Sequence, residues 1–442
     1  MTVTVEEFRD VGLVPARYDG LFARDGARDF FLTRDWFELL SATGFDGDAE
    51  RLILGATTRD GAPVALLPLA ASESDLTGLA NYYTLHYAPL VNAALPENTV
   101  TDALKAIAGD LKRRCSTIHL RPMAADDVAI PPLTAAFRAA GFIVDTYQHT
   151  VLRSLDCQGV NAAGFTAGLS SRVANSIRRN MGDMRDPDAF SLFTQPAEVA
   201  RGMAFYEAVY AASWKEAEPF PGFMRALADA CARRGALRLG CWAIDGDPAA
   251  AQFWIVHGGR ATIYKLAHDR LYHTRSVGSA LTLRMFQEIL DGDRPDRIDF
   301  GLGDEPFKAD WTPDSAPMIG WLAFNPLTAR GAAQGGAPFR LISAAEGCIN
   351  RRKSGRNTAD VMATIDMVRN LLDETLGLGG RAGTMVAATP LLGNLPELDS
   401  MAVVEVVTRL EAEFDIKIHD DEISAETFST LGGLAAFIDG KR

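Results

Sequence analysis

Residues 237–269, LRLGCWAIDGDPAAAQFWIVHGGRATIYKLAHD, hold three successive strand patterns. Only Asp245-Gly246-Asp247 and Gly258-Gly259 separate them, and turns that short join antiparallel neighbours. Two helical patterns precede the trio, EVARGMAFYEAVYAASW and GFMRALADACARRG. A helix, VGSALTLRMFQEILDG, a strand, RIDFGLG, and a last strand, MIGWLAFNP, follow it. The order ααβββαβ with a final strand predicts a mixed α/β sheet with flanking helices. A similar order runs earlier: RLILGATTRDGAPVALLPLAAS reads as a hairpin about Asp60-Gly61. A helix, a strand, a helix and a closing strand, FIVDTYQHTVLRSLD, come next. Two halves, 1–155 and 156–329, therefore repeat one pattern without obvious sequence identity.

The pattern breaks at 330–357, a stretch rich in Gly, Ala and Arg that reads as a linker. Beyond it, residues 358–442 look wholly helical. Val361, Ile365, Val368, Leu371 and Leu372 fall at helical spacing, and so do Val403, Val406, Val407, Leu410 and Phe414. The expectation is a C-terminal four-helix bundle of about the smallest size that keeps its own core. Charge divides at the same place. Residues 357–442 carry 15 acidic and 6 basic side chains, a net of −9 out of −13, so residues 1–356 carry only −4. That balance argues against nucleic acid as a partner. No apolar run approaches a bilayer span, VALLPLAA (64–71) being the nearest, and MTVTVEEFRD is acidic where a signal peptide is basic. A cytoplasmic protein is expected, with its five scattered cysteines reduced.

In the tail, ELDSMAVVEVVTRLEAEFDIKI sets Ser400 between Asp399 and Met401, at the start of a helix. The plainer reading makes Asp399 or Ser400 an N-cap. The stretch also resembles acyl carrier proteins in Asp399, Ser400, Met401, Glu411, Glu413, Phe414, Asp415, Ile416 and Ile418. The resemblance covers roughly the last 85 residues. It implies 4′-phosphopantetheine attached to Ser400 by a phosphopantetheinyl transferase. It also implies an acidic second helix that offers partners an electrostatic handle. Such a serine needs no neighbouring base, because the transferase activates it.

In the body, HTRSVGSALTLRM follows a strand and opens a helix. Arg275-x-x-Gly278-x-Ala280 resembles the phosphate-binding signature of GNAT-type N-acyltransferases. There the N–H groups at the helix start hold a pyrophosphate, here at Val277, Gly278, Ser279 and Ala280 beside Arg275. SSRVANSIRRNMGDM, YAASWKEAEPFP and IDFGLGDEPFKADW add a resemblance to the cellulose-biosynthesis-type branch of that superfamily. That branch is related to the Fem transferases with tandem GNAT-like halves, and bacterial ceramide synthases resemble it too. The match covers about 150–328, and the first half by architecture alone. It implies acyl transfer to an amine or hydroxyl without a metal.

Asp299, Asp304 and Lys308 gather at the C-terminal end of RIDFGLG, the end where open α/β sheets bind ligands. In the Fem relatives a Phe-Lys pair follows the matching strand. Phe307-Lys308 matches it, which implies that Lys308 stabilises the oxyanion or the leaving group. Asp304 is then the base or amine-orienting group and Asp299 the runner-up, against surface ion pairs as the plainer reading. His268 and Tyr264 line the strand that would admit pantetheine, as a base and as a proton donor to the thiolate. Alternation puts these two on one face and Lys265 and Asp269 on the other. Trp214, Lys215, Glu216 and Glu218 are candidates for the acceptor side.

Joined, these readings describe an N-acyltransferase. It moves an acyl group, expected to be fatty, from its own carrier to an amine such as a sphingoid base, an amino acid or an envelope component. A flexible linker of this length spans roughly 25–30 Å and gives an effective concentration of about a millimolar. Two alternatives stay open: an acyl-CoA-dependent body whose carrier serves another enzyme, and a non-catalytic platform presenting its carrier. An acyl-loading enzyme is a further expected partner. A homodimer and a peripheral contact with the inner membrane are both allowed.

Overall fold

The computed structural model describes residues 3–46, 49–72, 75–179, 189–328 and 331 of the body. In the tail it describes 358–376, 378, 381–385, 389, 391, 406, 409–411, 413–414, 416 and 430–441. The chain divides into two compact units, Met1–Gly336 and Ala337–Arg442.

The first unit is built on one sheet. Its strands are β1 (Val3–Phe8), β2 (Glu50–Thr58), β3 (Pro63–Ser72), β4 (Asp75–Gly78), β5 (Leu90–Val91), β6 (Thr117–Ala124) and β7 (Ile143–Asp156). They continue with β8 (Phe190–Phe193), β9 (Leu237–Ile244), β10 (Asp247–His257), β11 (Arg260–His268), β12 (Arg297–Leu302) and β13 (Asp314–Phe324). The order across the sheet is β1-β2-β3-β4-β6-β13-β7-β12-β11-β10-β9-β8, with β5 on β3. Two pairs are parallel, β4 with β6 and β11 with β12, and they hold equivalent places in the two halves. The last strands are exchanged: β7 ends the first half but pairs with β12, and β13 ends the second half but pairs with β6. β7 and β13 also pair with each other along eleven registered positions, so neither half closes its sheet alone.

The hairpins follow from the turn residues. Asp245 and Gly246 both have positive φ, as do Gly258 and Gly259, the conformation that two-residue antiparallel turns demand. Between Phe253↔Lys265 and Trp254↔Ile263 the register slips and leaves Tyr264 unpaired. A bulge of this kind resets the side-chain alternation. Tyr264 and Lys265 consequently both turn toward Tyr83, correcting the expectation that they lie on opposite faces.

One apolar core runs through both halves. Tyr83 stacks on Phe223 at 3.8 Å, and Trp36 meets Phe223 edge-on at 6.0 Å, all three fully buried. Truncating such an aromatic costs about 3–5 kcal/mol. His257 ends β10, and its Nε2 lies 2.6 Å from the Gly26 carbonyl oxygen.

In the tail, Thr358–Thr375 and Leu431–Lys441 are helices. Val368, Leu372, Val406, Leu410, Phe414, Leu431, Leu434 and Ile438 bury together in one core. The expected four-helix bundle falls in part outside the described residues. So do Ser400, Asp399, Met401 and most of the linker. Among the described residues no helix is long and apolar enough to cross a membrane.

Candidate active site

β11 and β12 are paired at only three positions, Arg260↔Arg297, Ala261↔Ile298 and Thr262↔Asp299. Past Thr262 and Asp299 no further registered pair joins the two strands. The β12–β7 register also shifts between Asp299 and Leu302. The strand ends Ile263–His268 and Phe300–Leu302 are therefore the candidate walls of a cleft. The helix Val277–Glu288 begins at this end, and His268 lies against its first turn.

In that helix the Ala280 N–H reaches the Ser276 carbonyl oxygen at 3.0 Å. The N–H groups of Val277, Gly278 and Ser279 precede this bond and have no acceptor within the helix. A Cβ on Gly278 would lie 3.2 Å from His268 Nδ1, so a bare residue keeps the approach open. Ser276 Oγ is 2.8 Å from Ser176 Oγ, which anchors the helix start to the neighbouring helix Ser171–Arg179. The Arg275 guanidinium lies 5.9 Å from the Tyr272 ring centre. Free N–H groups, a helix dipole and an arginine make a donor set that fits a phosphate.

Lys308 is buried at the mouth of the cleft. Its Nζ donates to the Leu302 carbonyl oxygen at 2.5 Å and lies 2.6 Å from Glu305 Oε2. Across the cleft, Lys265 Nζ sits 3.1 Å from Glu218 Oε1 and 4.1 Å from the Tyr82 ring centre. Lys215 is half-buried beside them. Burial, then the positive charges of Lys265 and Lys308, pull its pKa down to about 8. Burial, and next the Glu218 carboxylate, push the Tyr83 and Tyr206 phenols up.

The other expected catalytic groups are already engaged. Asp304 is exposed, and it accepts from Arg153 Nε at 2.8 Å. Asp299 is 2% exposed, with Arg297 Nε at 2.6 Å and Arg260 Nη1 at 3.3 Å. Burial raises its pKa, and the two arginines act against that rise. Tyr264 is buried and donates its hydroxyl to the Tyr83 carbonyl oxygen at 2.9 Å. His268 packs on the Trp214 ring, 4.5 Å between centres. Three of these four side chains thus already have polar partners: Asp304, Asp299 and Tyr264. Sequence reasoning missed Tyr82, Tyr83 and Glu305. The signal for the first two is the aromatic-rich run NYYTLHY in a loop of the first half. Nothing in its spacing says that it meets β11.

Residues 171–309 match the acetyltransferase (GNAT) domain, and residues 368–438 match the phosphopantetheine attachment site. Among solved structures, FemX is similar at 11% identity and a TM-score of 0.49, over 73% of this chain and 98% of that one. A tandem GNAT protein from the clavulanic acid biosynthesis pathway is similar at 13% identity and a TM-score of 0.43, over 73% and 99%. Over the tail, a holo acyl carrier protein from Nitrosomonas europaea is 56% identical with a TM-score of 0.17, over 17% of this chain and 92% of that one. The chain carries an acetyltransferase (GNAT) domain, which makes it an acyltransferase. A phosphopantetheine-attachment domain follows in the same chain.

Proposed function

We propose that the protein transfers an acyl group from a phosphopantetheine thioester on its own Ser400 to an amine acceptor, such as a sphingoid base, an amino acid or an envelope component. One observation carries the reading. The cleft between β11 and β12 opens at the end where a phosphate-ready helix start and the buried Lys308 both sit. A carrier match follows in the same polypeptide.

Phosphopantetheine, when bound, supplies the thioester and leaves as a thiol. The chain's own residues do the rest. Arg275 and the N–H groups of Val277, Gly278 and Ser279 hold the phosphodiester, while the expected Ala280 N–H is taken by the Ser276 carbonyl oxygen. A single phosphate satisfies them, so no adenosine pocket is required. Lys308 holds a positive charge at the end of β12, facing the negative charge that grows on the acyl oxygen. Glu305 and the Leu302 carbonyl fix its position. Asp304 and Asp299, committed to arginines, orient the walls of the site. Tyr264 ties the Tyr83 loop to β11, and His268 borders the phosphate at Gly278.

The test uses the full chain after modification and loading with an octanoyl group. Intact mass should show the acyl group leaving when an alkylamine is added to the wild type. In Lys308→Ala the acyl group should remain. Equal acyl transfer from octanoyl-CoA by Ser400→Ala would instead assign the donor to coenzyme A.

A further inference from the structure

Lys265, on the β11 wall of the candidate cleft, gathers polar side chains around its ammonium. Its hydrogen bond runs to Glu218 Oε2 at 3.4 Å, with Oε1 3.1 Å away. The Tyr83 ring centre lies 5.1 Å from the same Nζ, and the Tyr264 hydroxyl holds the Tyr83 carbonyl oxygen at 2.9 Å. Tyr206 comes from the helix Val199–Ala212, which packs on β11. Tyr83 is 0% exposed and Tyr206 1%. Both phenols stand near the Glu218 carboxylate, which, after burial, raises their pKa.

Yet three buried atoms of this group, Tyr83 Oη, Tyr206 Oη and Glu218 Oε1, complete no hydrogen bond among the described residues. A buried polar atom left unpaired destabilises a fold, and three around one ion pair call for an outside partner. Their chemistry says which. A carboxylate oxygen accepts, and a phenol both donates and accepts. Lys265 already balances the Glu218 charge, so a second cation would be repelled by the ammonium and an anion by the carboxylate. A neutral hydroxyl meets neither objection. It donates to Glu218 Oε1 and accepts from a phenol. Glu218 and the exposed Tyr82, whose ring centre lies 4.1 Å from Lys265 Nζ, form the solvent side of the group.

Resting on the acyl-transfer reading above, we infer that Tyr83, Tyr206 and Glu218 receive a hydroxyl carried by the acceptor, which makes the acceptor an amino alcohol rather than a plain amine. The hydroxyl fixes the acceptor by one end, and its amine stays outside the group to meet the thioester. A site built to pair a substrate hydroxyl discriminates sharply against the analogue that lacks it, because its own buried groups then stay unpaired.

The test offers the full chain, phosphopantetheinylated and loaded with an octanoyl group, either 2-amino-1-octanol or 2-aminooctane, which differ by that hydroxyl alone. The second-order rate constant for loss of the acyl group, read by intact mass, should favour the amino alcohol by about ten- to a hundredfold in the wild type. Tyr83→Phe and Tyr206→Phe each remove one phenol oxygen and should cut that ratio by about fivefold or more, with the melting temperature held. Calorimetry on the unloaded phosphopantetheinylated chain should show the same preference in binding, reduced in Tyr206→Phe. Equal rate constants for the two acceptors in the wild type overturn the inference while leaving acyl transfer intact. A preference that both Phe variants keep in full also overturns it and leaves water as the partner of the three atoms. A wild type that consumes its acyl group with neither acceptor sinks the transfer reading instead, and the calorimetric comparison then decides whether the hydroxyl is bound.

Discussion

Lys265 lies over the ring of Tyr82, 4.1 Å from its centre, so the second half of the body completes its cleft with an aromatic from the first. A cation on a tyrosine face contributes about 1 kcal/mol. Tyr82 is 65% exposed, so its loss should barely alter folding. Tyr82→Ala should raise the acceptor KM roughly fivefold with an unchanged melting temperature, and Tyr82→Phe should restore it. Steady-state kinetics with a series of alkylamines checks this, and an unaltered KM in Tyr82→Ala contradicts it.

Gly278 offers a case in which stability and activity move apart. Alanine is a better helix former than glycine by about 0.5–1 kcal/mol. The added Cβ would lie 3.2 Å from His268 Nδ1 and narrow the approach to the helix start. Gly278→Ala should shift the melting temperature little, the tight contact with His268 offsetting the helix gain, while slowing acyl transfer several-fold. Calorimetry and single-turnover assays on the same preparation read both effects.

Asp304 and Lys308 separate surface from site. The Asp304–Arg153 pair is exposed on the aspartate side, and such pairs contribute at most about 1 kcal/mol. Asp304→Asn should therefore slow transfer by less than about fivefold. Lys308→Met should slow it by about a hundredfold or more, as removal of one oxyanion donor does. Rates from the loaded wild type and the two variants decide the matter, and equal losses would contradict it.

His86 makes the seam between the halves sensitive to alkali. Burial opposes its protonation, but Asp29, with its Oδ2 2.9 Å from Nδ1, and Asp127 outweigh that and lift its pKa to about 9. Asp29 in turn meets Arg260 of β11 at 3.2 Å. A group whose pKa rises on folding stabilises fully below its unfolded value, near 6.5, and loses that contribution as pH climbs through its folded value. Unfolding free energy should fall by on the order of 1–3 kcal/mol between pH 6.5 and 9.5. In His86→Asn the loss should be much smaller. Urea melts at a series of pH values measure it, and equal slopes in both proteins contradict it.

The hairpins of the sheet were legible because Asp245-Gly246 and Gly258-Gly259 allow little besides a tight turn. The helix start at Val277–Ala280 was legible for a similar reason, since small residues after a strand leave the backbone bare. The exchange of β7 and β13 was not. An alternating strand pattern records which face is buried and nothing about which strand lies beside it. The bulge at Tyr264 was equally hidden, because a run of strand-forming residues carries no mark of where its alternation breaks. The placing of Tyr83 under both Tyr264 and Lys265 depends on chain folding over 180 residues, and no local spacing encodes it. The Asp399-Ser400-Met401 motif marks the proposed attachment point, and the phosphopantetheine attachment match at 368–438 spans it.

The central claim is that the carrier serine bears the arm that feeds the cleft. The most direct measurement is the intact mass of the full chain co-expressed with a phosphopantetheinyl transferase, followed by fragmentation of the peptide holding residue 400. The account predicts a gain of one phosphopantetheine on Ser400 in the wild type and none in Ser400→Ala. An unmodified Ser400 in the wild type would contradict it.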